Sequence, residues 1–163
     1  MIAKVMPKGK SFRILIKTIF EADTSVQIEM IEDSGDLEIP LDREDLVTIK
    51  RMIEDFENQT QSHEDYHRDK TYVGYHILAF SQAEMIQMDK KEIGIMVKKY
   101  ILDMGLNDTQ YIAVSHKTTE RFYVHLVFNR CMNNRRIYKD SFEKVKASKI
   151  AMVLSSPHEF SSI

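Results

Sequence analysis

Ser115-His116-Lys117-Thr118-Thr119-Glu120-Arg121-Phe122-Tyr123-Val124-His125-Leu126-Val127-Phe128-Asn129-Arg130 is the stretch that decides the architecture. From Phe122 onward it alternates with a period of two. Phe122, Val124, Leu126 and Phe128 fall on one face of a strand and are uniformly apolar, which marks that face as core. Tyr123, His125, Val127 and Asn129 fall on the other, expected open, face. Tyr123 and His125 then point the same way about 7 Å apart, twice the rise per residue. His116 lies at the end of a preceding strand, Gln110 to Ser115, and can reach the same patch across a hairpin. Two imidazoles converging on a sheet face can share a divalent cation, because neutral imidazole is a good ligand for several transition metals. A histidine on a strand is also commonly structural.

Working outward, Tyr72 to Phe80 is an aromatic and β-branched run expected to be another strand. Asp89 to Gly105 is the clearest helix. Asp89 and Glu92 form a capping pair at its start, Ile93, Met96, Val97, Tyr100, Ile101 and Met104 form a buried stripe, and Gly105 supplies the stop. Toward the N-terminus, Met1 to Met6 reads as a strand and Ser11 to Ala22 as a helix capped by Ser11. Val26 to Met30 reads as a further strand, and a second helix starts near Asp42 and turns Leu46, Ile49, Ile53 and Phe56 inward. Asn58 to Lys70 reads as a polar loop. Asn133-Asn134 reads as a turn, and Ser141 to Ser155 as a closing helix. The order β-α-β-α-β-α-β-β-α predicts an α+β domain: a mostly antiparallel sheet with helices packed on one face.

With 43% hydrophobic residues, 163 residues suffice for one domain spanning 1–163 with a substantial core. No run approaches the roughly 18 to 20 apolar residues of a membrane span. Met1 to Met6 lacks the features of a secretory signal, and Cys131 is the sole cysteine, which excludes an internal disulfide and a cysteine-based zinc site. A cytoplasmic setting is expected. The balance of 23 basic to 25 acidic residues conceals an asymmetry. Residues 21–69 hold 16 Asp and Glu against 4 Lys and Arg, whereas residues 116–149 hold 9 Lys and Arg against 3 Asp and Glu. Such a divided field attracts a phosphate backbone to one end only, and leaves the acidic part to solvent or to a protein partner.

Gln110-Tyr111-Ile112, His116 and His125-Leu126-Val127-Phe128-Asn129-Arg130 stand in the register of a known motif. The chain resembles relaxases of the HUH endonuclease superfamily, in particular the mobilisation proteins of Bacteroides-type mobile elements. They carry a stretch of the form Q-Y-I-x-x-x-H-x-D-x-x-H-P-H-x-H-L-V-F-N-R. Met1 to Met6 with Ser11-Phe12, Val73-Gly74-Tyr75-His76-Ile77, Phe80-Ser81, Gly105 to Tyr111 and Ala147 to Ile150 extend the resemblance over most of the chain.

The resemblance implies a protein that binds, and nicks, DNA at the transfer origin of a mobile element, in single-stranded or origin form, alongside a mobilisation protein partner and with no membrane role. It implies a divalent metal, Mg or Mn, held here by His116 and His125. Asn129, Arg130, Arg135, Arg136 and Lys139 are then the candidate DNA contacts. Several positions depart from the pattern. Tyr123 stands where the first imidazole of the H-x-H pair belongs, and Thr118 and Arg121 replace the usual Asp and His. Thr18 stands where the nucleophilic tyrosine is expected in the first helix. Tyr66, Tyr72, Tyr75 and Tyr123 are the conceivable replacements, and Tyr123 is preferred because it shares a face with His125. Glu120, His76 or water would have to complete a metal shell. The alternative reading is a relaxase-fold module that binds DNA or a protein without cutting. A third is a protein-interaction domain that has lost nucleic acid altogether.

Overall fold

In the computed structural model, which describes residues 1–155, ten elements follow one another. They are β1 (Ile2–Val5), α1 (Phe12–Phe20), β2 (Gln27–Asp33), α2 (Leu46–Gln61), β3 (Val73–Phe80), α3 (Gln82–Gln87), α4 (Lys90–Asp103), β4 (Tyr111–Lys117), β5 (Phe122–Asn129) and α5 (Glu143–Leu154). The strands form one sheet in the order β1-β3-β5-β4-β2. Each pairing is antiparallel, which fixes the α+β class expected from the sequence.

Local signals place most boundaries. The Ser11 side chain accepts from the Ile14 amide and starts α1, and the Asp89 side chain accepts from the Glu92 amide and starts α4. Gly105, at φ +74°, ends α4 in a left-handed conformation that costs glycine little. Two expectations shift. Asp45, not Asp42, caps α2, and α2 runs on to Gln61, so the polar loop begins at Ser62 and not at Asn58. The short helix α3 was not anticipated; Ser81 and Glu84 close a reciprocal capping box at its start.

The helices do not share one face. Packed on one side, α4 and α5 cover Leu78, Phe80, Ala113, Val124, Leu126 and Phe128. On the other side, α1 and α2 pack over Val73, Ile112, Val114 and Val127. The physical reason is legible in β4. Ile112, Ala113 and Val114 are all fully buried, and a continuous apolar run of this kind belongs to a strand covered on both faces. The face carrying His125 is therefore roofed over part of its area.

One close approach depends on glycine. Gly74 is the register partner of Phe128, and a Cβ at position 74 would lie 2.2 Å from the Phe128 ring. That ring is 1% exposed and forms edge contacts with His76 and Tyr138, so it has little freedom to yield. Gly74→Ala is expected to destabilise the domain by about 1–3 kcal/mol through overpacking. Urea denaturation checks this, and an unchanged midpoint would refute it.

Candidate nucleic-acid interface

The hairpin β4–β5 builds the site. Its register sets His116 opposite Tyr123 and Val114 opposite His125, so the two imidazoles sit diagonally on the same face. Their ring centroids are 4.2 Å apart. The convergence expected from spacing is present, and it is half-buried rather than open.

Each ring is bonded to the protein. The Nε2–H of His116 donates to the Ile19 carbonyl at the end of α1, at 2.8 Å. Nδ1 of His125 is 2.7 Å from the Tyr75 hydroxyl, and the Tyr75 and His125 rings stack at 5.9 Å. Nε2 of His125 is buried and has no partner among the described residues. Burial disfavours the charged imidazolium and pushes the His125 pKa down to about 4, with His116 contributing. His116 is lowered for the same first reason; Arg43 also lowers it, against the opposing effect of its bond to Ile19. Both rings are neutral at pH 7.

Of the conceivable tyrosine nucleophiles, Tyr75 is the one hydrogen-bonded to an imidazole among the described residues. Burial raises its pKa to about 12, far above that of His125, so His125 is too weak a base to make Tyr75 a phenolate nucleophile. The hydroxyl of Tyr123 has no hydrogen-bond partner among the described residues, and its side chain is half-buried beside His116. Tyr66 and Tyr72 stack on each other, and the Tyr72 carbonyl accepts from the Arg130 amide, at the opposite end of β5 from Tyr123. Thr18 is exposed on α1, and its hydroxyl donates back to the Ile14 carbonyl.

The candidate shell-completing residues lie elsewhere. His76 faces the other side of the sheet, bonded to the Tyr100 hydroxyl at 2.7 Å and to Glu143 at 2.6 Å. Glu120 sits exposed in the hairpin turn. Among the described residues no three His, Cys, Asp or Glu side chains gather where they could hold a metal ion. Two imidazoles with Tyr123 in the third position do not fit a three-ligand divalent centre.

The proposed DNA contacts divide sharply. Asn129 is fully buried; its amide donates to the Phe56 carbonyl and to Gln110, and its oxygen accepts from Thr60 and from the Cys131 amide. Arg130 is 9% exposed, donates to the Thr71 and Tyr138 carbonyls and pairs with Asp140 at 3.5 Å. Both residues fasten the base of the sheet; Arg130 Nε has no partner among the described residues but is buried out of reach of a phosphate. Arg135, Arg136 and Lys139 are exposed. Arg135 has φ +67° at the tip of a tight turn closed by the Cys131–Ile137 bridge, the turn expected at Asn133-Asn134.

Beyond α1, the sheet face is open. Register places Ile2, Ala79 and Tyr123 in one row and Lys4, Ile77 and His125 in the next. Ile2 is 73% exposed and Lys4 is exposed, while Ala79, Ile77 and Tyr123 are half-buried. The flat patch combines apolar surface, an aromatic ring and a lysine.

A family model described as Relaxase: MobA/VirD2-like, nuclease domain, matches residues 35–159. The chain belongs to the relaxase family. No curated protein and no solved structure gives a significant match. Relaxases typically use a divalent metal. No described helix is long and apolar enough to cross a membrane.

The geometry makes the shortfall testable. Tyr123 lies opposite His116 and two residues before His125 on one face, so Tyr123→His would assemble three imidazoles. In Mn²⁺ or Zn²⁺ at a hundredfold excess over Kd, that variant should gain about 2.7 kcal/mol and several degrees in Tm. The unsubstituted chain should show no metal-dependent shift in differential scanning fluorimetry. An equal shift in both would show that the two-imidazole site already binds metal.

Proposed function

We propose that this relaxase-family domain binds single-stranded DNA of a mobile element's transfer origin and does not cut it by the metal-and-tyrosine route of its family. The observation that carries the reading is that only two imidazoles meet at the site, with tyrosine at position 123 and threonine at position 18. A phosphotyrosyl intermediate needs a phenol able to attack in line and a polarised phosphate. Losing both would remove several kcal/mol of transition-state stabilisation.

What supports binding is the open patch around Tyr123, together with Lys4 beside it. Unpaired bases stack on an exposed aromatic ring, worth roughly 1–3 kcal/mol per base, while nearby cations follow the backbone. Arg135, Arg136 and Lys139 follow the end of β5, which lies about 20 Å from Tyr123 along the strand, and add positive charge there. The acidic residues 21–69 fall on β2, α2 and the connections flanking them, and β2 is the opposite sheet edge from β1. DNA is thereby steered toward the β1 side, and the acidic edge is left for a mobilisation protein partner.

Two measurements separate binding from nicking. Incubated with Mg²⁺ or Mn²⁺ and supercoiled plasmid carrying a cognate origin, the chain should form no covalent protein–DNA adduct; an adduct lost in Tyr123→Phe would restore the catalytic reading and name the nucleophile. Affinity for single-stranded DNA should fall with salt, and the logarithmic slope should shrink by roughly 1–2 in Arg135→Asn/Arg136→Ala. Asparagine tolerates the left-handed backbone at position 135. A slope unchanged by the double substitution would remove these arginines from the interface.

A further inference from the structure

The sheet has two free edges, β1 and β2, and they are not alike. β2 carries a break in register between Met30 and Glu32, an irregularity of the kind that discourages pairing with another strand. β1 keeps an unbroken register against β3 from Ile2 to Val5, and the Met6 amide continues the ladder by donating to the Tyr75 carbonyl at 2.9 Å. In an antiparallel pair, successive residues turn their backbone groups alternately toward and away from the partner. Ile2, Lys4 and Met6 therefore turn theirs to β3, and Ala3 and Val5 turn theirs to the free edge. Among the described residues no group bonds the outward N–H or C=O of Ala3 or Val5. The Met1 carbonyl, one step before them, is capped by the Ser155 hydroxyl at 3.2 Å.

Along that edge runs a groove whose far wall is α5. One hollow of it lies between Ile2, Ala3, Ser148 and Met152, and a second between Val5, Pro7, Phe142 and Val145. Val145, Ser148 and Met152 stand three and four residues apart, so they form one line on the helix. Its two ends are apolar and open: Val145 is 55% exposed and Met152 72%. Phe142 continues the line, 85% exposed and at φ +57°, a backbone conformation unfavourable for a bulky residue. Its ring gains no burial within the chain to offset that strain, and it is free to meet a partner.

The free charge around the groove is positive. Asp140 is paired with Lys8 at 2.8 Å, and Glu143 with His76 at 2.6 Å. Lys4, Lys144 and Lys149 are exposed and make no ion pair among the described residues. A second copy of the chain is a poor occupant, because pairing β1 with its own counterpart about a two-fold axis lays α5 beside α5 and sets the same lysines against each other. We infer that the β1–α5 groove takes up an extended acidic segment of a protein partner, which adds as a strand to the free edge of β1. The outward N–H and C=O groups of Ala3 and Val5 call for another polypeptide backbone, which DNA does not offer. Alternate side chains of the added strand then meet the α5 line on one face and Lys4 on the other. A short ladder alone holds a strand weakly, and the apolar contacts with α5 supply the rest. The inference is separate from the DNA-binding reading, with which it shares only Lys4.

The test uses the full chain and a labelled peptide of about ten residues alternating valine and glutamate. Fluorescence anisotropy should show binding that is roughly tenfold weaker for the valine–lysine counterpart and lost when alternate backbone amides of the peptide are N-methylated. Val145→Ser/Met152→Ser, at two exposed positions, should weaken the acidic peptide roughly tenfold and leave affinity for labelled oligothymidylate unchanged. In ¹H–¹⁵N spectra the peptide should shift the Ala3 and Val5 amides and protect them from exchange, without effect on β2. No binding of the acidic peptide, indifference to N-methylation, indifference to Val145→Ser/Met152→Ser, or protection on β2 in place of β1 would overturn the inference. Three other occupants would overturn it too. A dimer in sedimentation that Val145→Ser/Met152→Ser disperses gives the groove to a second copy. Protection of the Ala3 and Val5 amides by oligothymidylate gives it to DNA, and tighter peptide binding by a chain ending at Ser155 gives it to residues 156–163.

Discussion

The register of β4 against β5 is the constraint on which the site depends. Pairing His116 with Tyr123, and Val114 with His125, fixes which side chains share a face and how far apart they stand. A slip of one residue would send His125 into the core beneath α4 and deliver Leu126 to the other face. That slip is opposed from both sides, because Val124, Leu126 and Phe128 are packed under α4 and α5 while Val127 is packed under α1 and α2. Burial on two faces makes the ladder rigid, and the geometry of the paired imidazoles inherits that rigidity.

The two histidines join layers as much as they present chemistry. His116 receives the end of α1 through the Ile19 carbonyl, one of the terminal carbonyls that a helix leaves without an internal partner. Tyr75 bridges from β3 to His125. The place that resembles a metal centre is thus also a junction between α1, β3, β4 and β5. These hydrogen bonds take up one nitrogen of each ring and tie the layers together. On the opposite face, His76, Tyr100 and Glu143 form a comparable junction that ties α5 to β3 and α4, too enclosed to meet a nucleic acid.

Family membership and the chemistry of the site point in different directions, and each has its own kind of support. The fold is kept by dozens of buried apolar positions, whereas strand transfer rests on very few side chains. Substituting tyrosine for one imidazole and threonine for a nucleophile leaves the packing intact and changes what the site can do. The exposed arginine pair at 135 and 136 and the open patch near Tyr123 depend on no such constellation, which is why the proposed function is binding without strand transfer.

Much of this was determined by the sequence itself. The alternation of Phe122 to Asn129, the stripe of α4, the caps at Ser11 and Asp89 and the stop at Gly105 arise from local periodicity and backbone preference, and they specify the elements without reference to distant residues. The convergence of His116 and His125 also followed from a short hairpin, where register is nearly a local property. What only the tertiary structure decided was long-range. Asn129 and Arg130 looked like exposed polar groups and are interior, because α2 and the Tyr138 segment fold over them; Tyr75 finds His125 through β3–β5 pairing across 50 positions of chain. Polar residue types do not announce whether their hydrogen bonds will be made to protein or to solvent, since that depends on which remote backbone groups the fold leaves in need of a partner.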